Sequence, residues 1–286
     1  MIIAKIIVPV TGSTRDETAL ATAFAAARPF GAHVEALFTA RDPREVVPYS
    51  EMPLPPELVQ EMVDTATDLN RKAGRVARAN FQVAAKQADA KIANGSKKES
   101  GIVASYRETT GHLAQVLGED ALLCDLVVLP PIADGDNADA QEAFVRVLTG
   151  IERPVLLSAQ KPPHRAFSKI AIGWDGGRAA ANALIAALPF LEEAERVELL
   201  SVSHLPERPE RMAAAKNYLA LHGIACKERV IDAGTRNVAD VLLEASADFD
   251  LLVVGGYGTS RLIESIFGGV TRSIVSHPRL PIFMVH

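Results

Sequence analysis

Leu251-Leu252-Val253-Val254-Gly255-Gly256-Tyr257-Gly258 is the stretch whose reading decides the fold. Four apolar residues, β-branched at the end, are stopped at once by glycine. A short run of this kind is the pattern of a strand buried on both faces of a parallel sheet. Thr259-Ser260 lead into a helix-like segment, Arg261 to Phe267, and Gly268-Gly269-Val270-Thr271 follow. A helical run from Arg272 to Ser276 stops near Pro278, and Pro281-Ile282-Phe283-Met284-Val285 closes the chain as a strand. The order of strand, glycine loop and helix start has a physical sense. Glycines let backbone N–H groups approach a ligand that a Cβ would hold off. A helix N-terminus behind them adds unpaired donors and a positive dipole end, which suits phosphate. The loop also falls at the carboxyl end of a strand, where open α/β sheets bind ligands. Tight turns and close helix–sheet contact use the same residues, and glycine spacing leaves both readings open.

Gly255, two residues, Gly258, nine residues, Gly268 resembles the nucleotide-binding pattern of the universal stress protein family. That pattern is G-2x-G-9x-G followed by Ser or Thr, just before the domain's last strand. Here Gly269 stands at the Ser/Thr position. The hydroxyl that would meet a phosphate is missing, but the backbone N–H of Gly269 remains and Thr271 is two residues on.

The chain then proves to be written twice. Lys169-Ile170-Ala171-Ile172-Gly173-Trp174-Asp175-Gly176 echoes Lys5-Ile6-Ile7-Val8-Pro9-Val10-Thr11-Gly12. Asp250-Leu251-Leu252-Val253-Val254 echoes Asp125-Leu126-Val127-Val128-Leu129, and Pro281 to Val285 echoes Pro154 to Ser158. Alanine-rich helices follow the first strand in both halves, over Arg15 to Arg28 and Arg178 to Leu191. Three landmarks in one order make an internal duplication. Alternating strands and helices in each half argue for parallel sheets covered on both faces. The expected architecture is α/β: two doubly wound, mainly parallel five-stranded sheets, as the resemblance to tandem universal stress proteins implies. The units are expected at 1–160 and 167–286, joined through the Pro-rich segment Gln160 to Ala166. The first carries roughly thirty extra residues at about 41–87. These read as a Pro-rich loop and then a long polar helix, Glu57 to Gln87. Ala90 to Ser105 reads mostly as loop, Ile102 to Tyr106 as a strand, and a helix is expected to start at Thr109 or Thr110. Each half ends in an apolar strand, and an exposed edge of that kind invites pairing. Arg153–Ser158 and Pro281–Val285 are expected to pair within the chain as a pseudo-dimer, with a homodimer of chains left open.

The halves are not equivalent. By resemblance, an Asp after the first strand reaches the adenine side of a nucleotide. The second half has Asp175; the first has Thr11. Where the second half has Gly255 to Gly258, the first has Pro130-Pro131, which offer a phosphate no backbone N–H. Nucleotide binding, with ATP as the implied cofactor, is therefore expected in the second half only. The candidate residues are Asp175, Val202 on the second strand for backbone contact with adenine, Gly255, Gly258, Gly268, Gly269 and Thr271. Asp175 could equally cap the turn into the next helix. Trp174 could stack on a base, Arg261 could meet phosphate and Tyr257 could cover the ligand or exclude it.

Composition sets the remaining bounds. The chain has 286 residues, 48% hydrophobic and 23% charged, with a formal charge of −5. No apolar run reaches the ~20 residues of a membrane span, and the start has no signal-peptide pattern. Residence in the cytoplasm, no membrane partner and no nucleic-acid partner are expected. Cys124 and Cys226 lie far apart in apolar segments and read as buried free thiols. The seven histidines show no ligand spacing, so no metal site is expected. No G-x-S-x-G elbow or Walker sequence appears, and a catalyst is not expected. One functional expectation is a stress-response protein that binds ATP or a related adenine nucleotide and acts through unidentified protein partners. The alternative is a dimeric scaffold that binds no nucleotide. A third is an apolar ligand in the first half, in a cavity lined by the 41–87 insert.

Overall fold

The computed structural model describes residues 3–49, 52, 54–93, 100–132, 138–163, 166–203, 209–256 and 278–286. The first half runs β1 (Lys5–Val10), α1 (Arg15–Ala27), β2 (His33–Ala40), α2 (Pro56–Gln87), β3 (Lys91–Ile92), β4 (Val103–Thr110), α3 (Leu113–Asp120), β5 (Leu126–Leu129), α4 (Ala138–Val145) and β6 (Val155–Leu157). The second runs β7 (Lys169–Gly173), α5 (Arg178–Glu192), β8 (Arg196–Ser203), α6 (Pro209–Leu221), β9 (Cys226–Asp232), α7 (Val238–Ala245), β10 (Leu251–Gly255) and β11 (Ile282–Val285). The helices expected over 261–267 and 272–276 lie outside the described residues.

The 11 strands among the described residues form one sheet, in the order β3-β4-β2-β1-β5-β6-β11-β10-β7-β8-β9. The α/β class and the parallel pairing are as expected; a division into two sheets is not. The reason is the seam. β6 and β11 pair antiparallel, with Leu157 opposite Ile282, Leu156 opposite Phe283 and Val155 opposite Met284. Every other pairing is parallel. The two terminal strands thus close each other's unpaired edge. Read outward from the seam, β6-β5-β1-β2-β4 repeats as β11-β10-β7-β8-β9. Because the seam is antiparallel, the carboxyl ends of the two half-sheets point to opposite ends of the molecule.

The strands on either side of the seam are apolar at nearly every position because helices cover both faces. Leu126–Leu129 and Leu251–Val254 are buried throughout. The two faces carry separate cores, and each core runs across the seam. On one face Phe30 of the first half meets Phe190 of the second edge to face, with ring centroids 5.2 Å apart; Phe190 also meets Phe283 at 5.9 Å.

Two local expectations are corrected. Thr109 and Thr110 end β4 rather than starting a helix, because they pair with Thr39 and Ala40 of β2. Within the segment expected as loop, Lys91–Ile92 form β3, paired with Val103 and Ala104.

Candidate functional site

In a doubly wound sheet the ligand crevice opens where successive strands depart to opposite sides. In the second half this point lies between β7 and β10, since β8 flanks β7 on the other side. Asp175 leaves the carboxyl end of β7 and is exposed. Gly173 pairs with Leu200 on β8, so two residues further on Asp175 stands level with Val202. Val253 of β10 pairs with Ile172, which places Gly255 level with Trp174. Three of the candidate residues therefore gather at one end of three adjacent strands. Gly258, Gly268, Gly269 and Thr271 lie outside the described residues, as do Tyr257 and Arg261.

Each gathered residue also has a local task. The Gly177 N–H donates to Asp175 Oδ1 at 2.7 Å, an Asx turn leading into α5. A Cβ on Gly255 would lie 2.5 Å from the backbone of both Ala179 and Ala180. Only glycine lets the first turn of α5 lie directly on the end of β10. That contact brings the helix N-terminus, with its unpaired amides, to the edge of the crevice. Val202 is half-buried and pairs with Ile231 of β9.

Two neighbours were less legible. The Trp174 Nε1 is buried and, among the described residues, has no hydrogen-bond partner. Arg211 of α6 crosses the loop after β7, where a Cβ on Gly176 would sit 2.6 Å from its Cδ. Sequence reading placed the candidate phosphate cation on Arg261. Arg261 lies outside the described residues; Arg211 reaches this loop because α6 runs back over it, and no spacing in the sequence announces that.

The first half treats the same position differently. Thr11 follows β1, as expected, but a carboxylate is present: that of Asp16, from the first turn of α1, 3% exposed. It accepts from the N–H of Thr11 at 3.0 Å and of Gly12 at 2.8 Å, and from Asn80 of α2 at 3.4 Å. The loop is tied from inside the chain. α2 then covers it so closely that a Cβ on Gly12, at φ +78°, would meet the Ala73 carbonyl oxygen at 2.4 Å. Beside it, between the ends of β1 and β5, lies a cavity of about 340 Å³ lined by residues that include Thr11, Arg15, Leu113, Pro130 and Pro131. The lining of this cavity takes no residue from 41–87.

Among the described residues no group of three His, Cys, Asp or Glu is placed to hold a metal ion. Among them also, no helix is long and apolar enough to cross a membrane. Both cysteines are free; Cys124 is buried as expected, while Cys226 is only half-buried.

Comparison with known proteins bears on the fold. Residues 166–286 match the family model described as the universal stress protein family. The whole chain is similar in structure to a universal stress protein from Archaeoglobus fulgidus DSM 4304, with a TM-score of 0.63 at 12% identity, over 98% of this chain and 97% of that one. It is similar also to a putative universal stress protein from Pseudomonas aeruginosa UCBPP-PA14, with a TM-score of 0.56 at 16% identity, over 99% and 93%. At these identities the likeness is one of fold. No curated protein matches the chain.

Proposed function

We propose that this chain, whose residues 166–286 form a universal stress protein domain and whose first half repeats that fold, binds ATP or a related adenine nucleotide in its second half. The reading is of a cytoplasmic binding protein rather than a catalyst, acting in stress through contacts with protein partners. The observation that carries it is the contrast between the two crevices. In the first half the buried carboxylate of Asp16 is taken up by the N–H groups of Thr11 and Gly12, and the cavity beside that loop is bordered by Pro130 and Pro131, which have no backbone N–H to offer. In the second half the corresponding loop leaves Asp175 exposed at the switch point. Asp175 is suited to the adenine side, the first turn of α5 and Arg211 to the phosphates, and the Trp174 indole offers a further donor.

Titration of ATP by calorimetry, with native mass spectrometry of gently purified protein, tests this. Asp175→Ala should weaken binding by about tenfold or more, the worth of a hydrogen bond to a charged group. Absence of binding and of any co-purified adenine nucleotide would reject it.

That outcome leaves the second reading, a scaffold that binds no nucleotide. Its support is that Asp175 and Gly255 each have a sufficient structural task, one holding the turn that leads into α5 and the other admitting the helix.

A further inference from the structure

The helix α2, 32 residues long, stands where the second half has the 13-residue α6, and its faces differ. Gly74, Ala77, Phe81, Ala84 and Ala85 are buried against the body of the protein. One flank of the helix carries Met62, which is half-buried, and Leu69, Val76 and Val83, the four spaced by seven. Seven residues are close to two turns of helix, so the four side chains form one stripe with a slow drift. Leu69 is 62% exposed, Val76 40% and Val83 57%, with Leu58 at 42% beside them. A surface helix normally presents polar residues there.

The charges along α2 are divided. Glu57, Glu61, Asp64 and Asp68 lie in its first part, with no Lys or Arg from 56 to 70. Arg71, Lys72, Arg75, Arg78 and Lys86 lie in its second, with no Asp or Glu from 69 to 87. Two such helices side by side in parallel would set like charge on like. Turned antiparallel, they set acid on base along their whole length.

We propose that α2 is a self-association helix, through which two copies of this chain pair antiparallel about a two-fold axis near Lys72 and Ala73. In that register Leu69 of each copy meets Val76 of the other, and Met62 meets Val83. Asp68 lies beside Arg75 of the second copy. The contact is self-complementary, as a two-fold interface requires, and a heptad stripe is the geometry of helix-on-helix packing. Some of these charges already have partners within the chain: Asp68 with Arg71 at 2.8 Å, and Arg78 with Glu108 at 3.3 Å. Both pairs are exposed, and such pairs exchange partners at little cost. The inference does not depend on nucleotide binding.

Sedimentation velocity on the full chain over a range of concentrations and salt tests it. The chain should dimerise, more weakly as salt rises. Leu69→Glu, at an exposed position that leaves the fold intact by circular dichroism, should weaken the dimer by about tenfold or more. Asp68→Arg and Arg75→Asp should each weaken it, and the two together should restore it, since the swapped helix is again complementary to itself. A monomer at every concentration overturns the proposal and leaves the stripe to a helix of a different protein. So does a dimer indifferent to Leu69→Glu, or one that the double exchange fails to rescue.

Discussion

Asp125 and Asp250 make the same pair of hydrogen bonds in the two halves of the chain. Asp125 Oδ2 accepts from the N–H of Ala4 at 2.8 Å and of Lys5 at 2.9 Å. Asp250 Oδ2 accepts from the N–H of Ser168 at 3.1 Å and of Lys169 at 2.8 Å. Each Asp stands just before a buried strand and ties down the start of the half's first strand. The duplication thus extends from hydrophobic pattern to individual hydrogen bonds. Glu35 and Glu198 repeat it: Arg107 reaches Glu35 at 2.6 Å, and Arg229 reaches Glu198 at 2.9 Å.

Removing either bracket should be costly. Asp125→Ala and Asp250→Ala should each lower stability by about 1–3 kcal/mol, because two backbone donors lose a charged acceptor. Since both halves share one sheet and two continuous cores, each substitution should move the same unfolding transition. Calorimetry showing two separately shifted transitions would contradict that cooperativity.

Gly255 can be tested against Gly223. Gly255→Ala drives a Cβ against the backbone of Ala179 and Ala180, and should cost about 1–3 kcal/mol through overpacking. Amide exchange in the first turn of α5 should accelerate with it. Gly223, at φ +74°, has nothing within 4 Å of an added Cβ. Gly223→Ala should cost only about 1–2 kcal/mol of backbone strain and leave α5 exchange unchanged.

Glu35 should make stability depend on pH. Burial pushes its carboxyl up, but the hydrogen bonds and charges of Arg107 and Lys5 outweigh burial and hold it below the ordinary glutamate value. A carboxyl depressed in the folded state stabilises the fold above its unfolded pKa, and that stability is lost as pH falls through its folded pKa. Glu35→Gln should therefore melt below the parent at neutral pH. The gap should close on acidification through and below the ordinary glutamate range. A gap constant with pH would show that the ionised carboxylate is not its source.

The thiols should be inert while the chain is folded. Burial pushes Cys124 up to about 11, and Cys226 likewise to about 11. At neutral pH the reactive thiolate is then about one part in ten thousand. Iodoacetamide should label neither residue appreciably in native protein and both in urea. Rapid native labelling of Cys124 would mean that the helical layer over β5 opens readily.

Much of the architecture is legible in the sequence because buried parallel strands are apolar at every position. Leu126–Leu129 and Leu251–Val254 declare themselves without any partner in view. The length of α2 is legible for a similar reason, as its periodicity is local. What escapes depends on residues distant in the chain. Thr110 is a strand residue because Ala40 lies beside it, and Lys91 because Val103 does. Asp175 and Gly255 were identified from motif and position, and the structure brings them to one end of the sheet. The locking role of Asp16 was not legible, since an acidic residue in a helix's first turn ordinarily reads as a dipole partner. Nothing short of the folded backbone places its oxygens on Thr11 and Gly12.

The antiparallel seam between β6 and β11 has a consequence for inheritance. In a homodimer built from one repeated chain, every substitution appears on both sides of the axis. Joining the two copies in a single chain removes that constraint while keeping the interface. One copy is then free to hold the loop after β1 with Asp16 and to acquire a helix as long as α2. The other can hold Asp175 open without sharing either change.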